Sequence, residues 1–287
     1  MSEKLLAGVD FSGAKTDPNP TWLAVGRLGN LGLEVMDLKQ VGSSALAAQL
    51  MKHDNLDAVG IDCPFSLPSD FLSYLAAKKL RPDYQSWQEV AEELVFMSFD
   101  DFLEAAKAFK KEPKRFTDSA VASPALSPLH RGNPSMVQMT FHGIRLLAAL
   151  DPKRFFVLPF QKSIDFGCSV LEVYPRETLR YLTLPNTGYK SKDKKEAEAS
   201  TEVRRKIIQG LVDLRDKKGL TYKDCPRLTI SKGNERLCEG SDHALDAVIA
   251  LYATALFVSA PQLFDDPLNA DNLDVLLEGW IYTPRIK

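Results

Sequence analysis

A handful of acids and one histidine stand out in this 287-residue sequence because each sits where an acid is costly or conspicuous. Asp10 ends the apolar run Leu5, Leu6, Ala7 and Val9, which reads as a strand buried on both faces. Asp62 ends a second run of the same form, AVGI, and Glu172 lies inside a third, SVLEVYP. Asp242, His243 and Asp246 open the apolar stretch GSDHALDAVIALYATALFVS. On a helix, His243 and Asp246 are an i, i+3 pair and Asp242 and Asp246 an i, i+4 pair, so the three share one side of the first turns. A turn cap accounts for a lone Asp10, and an N-terminal cap accounts for Asp242. Neither accounts for Asp246 between Leu245 and Ala247, where an acid is costly unless it is paired or bound to a metal. Crowded carboxylates repel, and a divalent cation removes that cost while lowering the pKa of bound water and neutralising a phosphate. Oxygen-rich sets of this kind suit Mg²⁺ or Mn²⁺.

The elements that must position these groups follow from the pattern. TWLAVGRL and LGLEVMDLKQV flank Gly29-Asn30-Leu31-Gly32, which has the turn residues of a β-hairpin, so the first strand continues into a three-stranded meander. A short helix carrying Ala45, Leu46, Ala48, Leu50 and Met51 then leads into the strand that ends at Asp62. Residues 69–151 read mostly as helix, interrupted by the long proline-bearing loop TDSAVASPALSPLHRGNPS, in which His130, Arg131 and Asn133 are solvated or face a polyanion. Apolar runs over Phe155–Phe160 and Ser169–Tyr174 follow, then a short helix opened by Pro175. Tyr189–Lys206 reads as a solvated helix face ending in the basic cluster Arg204, Arg205 and Lys206. The last stretch is a helix buried against the sheet.

Composition bounds the class. With 45% hydrophobic residues the chain can bury a full core in one large domain or two modest ones, and a single domain over residues 1–287 is expected. No run of about 18 or more apolar residues occurs and MSEKLL lacks the pattern of a signal peptide, so a soluble cytoplasmic protein is expected. The four cysteines are widely spaced with no CxxC pair, which suggests reduced thiols rather than zinc ligands or disulfides. A net charge of −2 gives no global attraction to nucleic acid.

In succession, GVDFSGAK, GIDCPFSLP, LEVYPRETL, SDHALDAVIALYAT and the terminal LEGWIY resemble the blocks of a DUF429-type family of predicted nucleases in the RNase H-like superfamily. The resemblance implies an α/β fold: a mixed five-stranded sheet flanked by helices, a final helix over the first acid, and a helical insertion at about 69–151. It also implies phosphodiester hydrolysis by a two-metal-ion mechanism. Holliday-junction resolvases of that superfamily carry acids on the first and fourth strands and a His or Asp three residues before an Asp on the last helix. Asp10, Asp62, His243 and Asp246 match those places, with Asp in the fourth-strand position where those enzymes have Glu.

The expected catalytic set is therefore Asp10, Asp62, Glu172 and Asp246, with Asp10, Asp62, Asp246 and His243 as metal ligands. A nucleic-acid partner, DNA or RNA, must be gripped by local cations, for which Lys15, Arg131 and Arg176 are the candidates. VDFSGAKT also looks like the first phosphate loop of actin-like sugar kinases and ATPases, although a second such domain and a second Gly-rich motif are missing. A non-catalytic nucleic-acid or protein binding module, with structural acids, is the other alternative.

Overall fold

The computed structural model describes residues 2–13, 21–132, 136–162, 164, 166–190, 197–216, 223–272 and 274–285. The chain begins β1 (Lys4–Asp10), β2 (Thr21–Gly29), β3 (Gly32–Val41), α1 (Leu46–Met51) and β4 (Leu56–Asp62). Five helices follow: α2 (Ser69–Lys78), α3 (Trp87–Phe96), α4 (Phe99–Phe109), α5 (Phe116–Ala120) and α6 (Met136–Ala148). Then come β5 (Phe155–Val157), β6 (Cys168–Glu172), α7 (Pro175–Tyr181), α8 (Ala197–Val212), β7 (Leu228–Thr229), α9 (Lys232–Gly240), α10 (Asp242–Ser259) and α11 (Val275–Glu278). Serine side chains start several of these helices. Ser86, Ser98, Ser231 and Ser241 each accept a backbone N–H of the first turn of α3, α4, α9 and α10.

The fold is α/β, built on one mixed sheet in the order β5-β6-β4-β1-β2-β3-β7. β1 runs antiparallel to β2 and parallel to β4, β4 is parallel to β6, and β6 to β5. Among the described residues the sheet has seven strands, where five were expected. The two additions are edge strands of three and two residues, too short to display an alternating pattern. The strand period of two divides the core between the faces. Ala7, Val9, Val59 and Ile61 pack with α2, α3, α4 and α6, whereas Leu6, Ala58 and Ala24 pack with α8 and α10.

Helix α10 is long and apolar enough, by length and composition alone, to cross a membrane. Here 72% of it is buried inside the molecule, lying over β1, β2 and β4. Two further expectations change. The long loop begins as helix α5, and its Ala122 and Ser123 amides donate to the buried Glu177 carboxylate at 2.9 and 2.8 Å. The basic cluster is not an open patch: Arg204 is buried, donating to Glu239 O and Tyr189 O, while Arg205 pairs with Glu202 and Glu239.

Candidate metal centre

Two glycines let α10 lie directly on the acid-bearing strands. A Cβ on Gly8 would come within 2.4 Å of Ala247 O and one on Gly60 within 3.1 Å of Ala250 O, so a side chain at either position would push the helix away. This close approach brings Asp246, beside Ala247, to the ends of β1 and β4. Asp10 and Asp62 are register partners on those parallel strands and point to the same face. As a result, one carboxylate oxygen from each of Asp10, Asp62 and Asp246 lies within 4.8 Å of the others, an arrangement that can hold a metal ion.

Asp246 is 0% exposed. Its Oδ1 accepts from Tyr189 Oη at 3.0 Å, and its Oδ2 is 2.6 Å from Lys190 Nζ. His243 Nδ1 is hydrogen-bonded to Asp10 Oδ2 at 2.7 Å. With Nδ1–H as donor, the carboxylate oxygen accepts and the second ring nitrogen faces away from Asp10. The electrostatics record the crowding. Burial, followed by the charges of Asp10 and Asp246, pushes Asp62 well above the ordinary carboxylate range. Burial pushes Asp246 up to about 6, with Lys190 pulling the other way and Asp10 adding to the rise. The hydrogen bond to Asp10 raises His243, against burial. For Lys190, burial disfavours the charge, but Asp246, Tyr189 and Asp62 outweigh it and raise the ammonium.

The chain belongs to the family described as proteins of unknown function, DUF429. Its family model matches residues 8–263. That DUF429 span contains all three clustered acids, Lys190 and His243. No curated protein and no solved structure matches the chain.

The remaining expected residues are placed differently. Glu172 pairs in register with Ile61, not Asp62, so it projects from the opposite face of the sheet. There its carboxylate accepts from Arg115 Nη1 at 2.8 Å, Arg115 Nη2 at 2.5 Å and Phe65 N at 3.0 Å. It lines the same cavity as Asp10 and Asp62, yet it is outside the cluster of three acids. His243 is also outside that cluster, one hydrogen bond from it. Arg131 donates to Glu112 at 3.0 Å and does not line the cavity. Arg176 is half-buried beside Tyr174, which does line it. Lys15 and Asn133 lie outside the described residues.

Lys190, Tyr189 and Arg115 were not singled out in the sequence. Tyr189 and Lys190 sit in a polar stretch that reads as solvated, and Arg115 in the charged segment KKEPKRF. Only tertiary contact gives these residues their roles.

Proposed function

We propose that this chain is a metal-dependent nuclease, a hydrolase of phosphodiester bonds, with Mg²⁺ or Mn²⁺ held by Asp10, Asp62 and Asp246. The observation that carries this reading is the convergence of carboxylates from three separate elements at the strand ends, beside a cavity. Carboxylate oxygens without a sulfur ligand suit a hard divalent cation. The resemblance of the successive blocks to the RNase H-like superfamily points the same way.

When bound, a pair of such ions neutralises phosphate charge and lowers the pKa of a bound water. The chain's own groups position the rest. β1, β4 and α10 are in mutual contact, so Asp10, Asp62 and Asp246 would together hold the cation. His243 orients Asp10 through Nδ1, in the manner of the outer partners that fix metal ligands, and its second nitrogen would take the proton of the attacking water. In the reaction the water oxygen bonds to phosphorus and the ester P–O bond breaks. The departing oxygen keeps the electron pair and takes a proton from solvent. Lys190, whose side chain is half exposed, would hold a phosphate oxygen. Glu172 stays with Arg115 and builds the cavity wall, while Arg176 remains a candidate phosphate contact at its rim. The four buried, free thiols accord with a reducing, cytoplasmic setting.

Incubation with Mn²⁺ and single-stranded DNA, branched DNA or RNA tests the proposal. Cleavage should occur, stop on chelation, and be lost in Asp10→Asn. A Mn²⁺-loaded protein that neither binds nor cleaves any of the three would overturn it.

A further inference from the structure

The cavity beside the acids encloses about 640 Å³. This falls among small-molecule sites, which run from roughly 300 to 1,000 Å³. Much of its lining is apolar, including Phe11, Leu126, Met136 and Met139. Leu126 is 42% exposed, so its apolar surface is left uncovered by the protein itself.

This wall is fixed relative to the acids. α6 packs on the residues that follow both strand acids: a Cβ on Gly13 would lie 2.6 Å from Met139 Cα, and one on Gly143 would lie 2.8 Å from Cys63 Sγ. Gln138 Nε2 donates to Gly13 O at 3.4 Å. The segment carrying Leu126 is held just upstream, where the Ala122 and Ser123 amides reach Glu177 and Tyr174 Oη donates to Pro124 O at 3.1 Å.

Cations are sparse along the same surface. Among the described lining residues the arginines and lysines are Arg115 and Lys190. Arg115 is 1% exposed and its guanidinium is engaged by Asp118, Glu172 and the Glu278 carbonyl. Lys190, with a side chain 52% exposed, is the one able to turn to a ligand. A protein that grips a duplex neutralises several phosphates with separate cations, whereas this lining suits one.

On the nuclease reading, we propose that the cavity takes a single unstacked nucleotide unit. Its phosphate lies at the three acids and Lys190, and its base rests against Phe11, Leu126, Met136 and Met139. A nucleobase has two apolar faces and a polar edge. Methionine thioethers adapt to such faces, and the Gln138 amide can donate to and accept from the edge. Extracting a base from a duplex costs a few kcal/mol, a cost that is absent for a free nucleotide or a single strand. The substrate is therefore a small nucleotide ester or a single-stranded segment, and duplex interiors are excluded.

Calorimetry on the full chain with saturating Mn²⁺ tests this, using AMP, ribose 5-phosphate, and a twelve-nucleotide single strand and its duplex as probes. AMP should bind at least ten-fold more tightly than ribose 5-phosphate, and the single strand more tightly than the duplex, with shallow salt dependence. Leu126→Ser, at an exposed position that tolerates the change, should lower AMP affinity at least three-fold. Leu126→Phe should retain it, and Mn²⁺ affinity should be unchanged in both. A single strand that binds more tightly than AMP assigns the unit to a polymer, and equal binding assigns it to a free nucleotide. Equal affinity for AMP and ribose 5-phosphate, or a duplex bound as tightly as the single strand, overturns the inference while leaving the nuclease reading intact. Mn²⁺ binding without affinity for any phosphate ligand overturns both.

Discussion

Arg115, Asp118 and Glu172 on one face of the sheet, and Asp10, Asp62 and Asp246 on the other, are two charged clusters that meet one cavity, the second through Asp10 and the half-buried Asp62, with Asp246 fully buried outside the lining. In the first, all five guanidinium donors are used: two on Asp118, two on Glu172 and one on Glu278 O. Glu278 in turn accepts from Ser69 N and Phe116 N, at 2.6 and 2.7 Å. Burial still raises Glu172, with Arg115 opposing it, but every group has directed partners. In the second, three carboxylates share one ammonium, one imidazole and one phenol. Burial and mutual repulsion leave Asp62 and Asp246 short of compensation. Both clusters are acidic and largely buried, so burial alone does not separate a structural site from a chemical one. Incomplete compensation does, because it is what a cation completes.

The largest effect should come from breaking the satisfied cluster. Arg115→Met strands Glu172 and Asp118 without their partner and should cost about 3–5 kcal/mol of folding stability, read from the urea midpoint. A loss under about 1 kcal/mol would mean that this network does not hold the cavity wall. The unsatisfied cluster should respond to a cation instead. Mn²⁺ at a hundred times its Kd should stabilise the protein by about 2.7 kcal/mol, seen as a rise in Tm, and a Tm indifferent to Mn²⁺ would count against the cluster as a binding site.

The two clusters also differ in how far the sequence exposes them. Asp10 and Asp62 are legible because each ends an apolar run, and Asp246 because an acid interrupts an otherwise apolar helix. Glu172 shows the limit. Its strand was recognised, but the inter-strand register, which places it opposite Ile61 and on the other face, depends on pairing that no single run encodes. The two residues of β7 carry no period, and the apolar run Phe155–Phe160, which contains β5, does not reveal its pairing partner. Lys190 and Arg115 look like ordinary surface cations until the chain brings acids to them, from 56 and 57 residues away in sequence.

Smaller effects sharpen the contrast further. His243 is partly exposed and supports Asp10 from outside the acid group, so His243→Ala should weaken Mn²⁺ binding roughly 10- to 100-fold while leaving folding stability nearly unchanged. Equal Mn²⁺ affinity in the variant would remove the orienting role assigned to it. The smallest change concerns metal-free stability. With Asp246 at about 6 against an ordinary 3.8, the folded state binds its proton more readily than the unfolded state. That contribution is fully present below pH 3.8 and is lost as pH rises through about 6. Metal-free protein should therefore gain stability between pH 7.5 and 5.5, taken as approximate bounds around this transition. Asp246→Asn should gain on the order of 1 kcal/mol at neutral pH and lose most of that pH response. An unaltered pH profile in the variant would place the titrating group elsewhere.

Titrating Mn²⁺ into the metal-free protein and into Asp10→Asn by calorimetry tests the metal centre most directly. Asp10 is one of three converging acids, so wild type should bind Mn²⁺ and the Asn variant, which keeps the shape but not the charge, should bind at least ten-fold more weakly. Equal affinity in the two proteins, or no binding to wild type, would contradict a metal centre built on Asp10, Asp62 and Asp246.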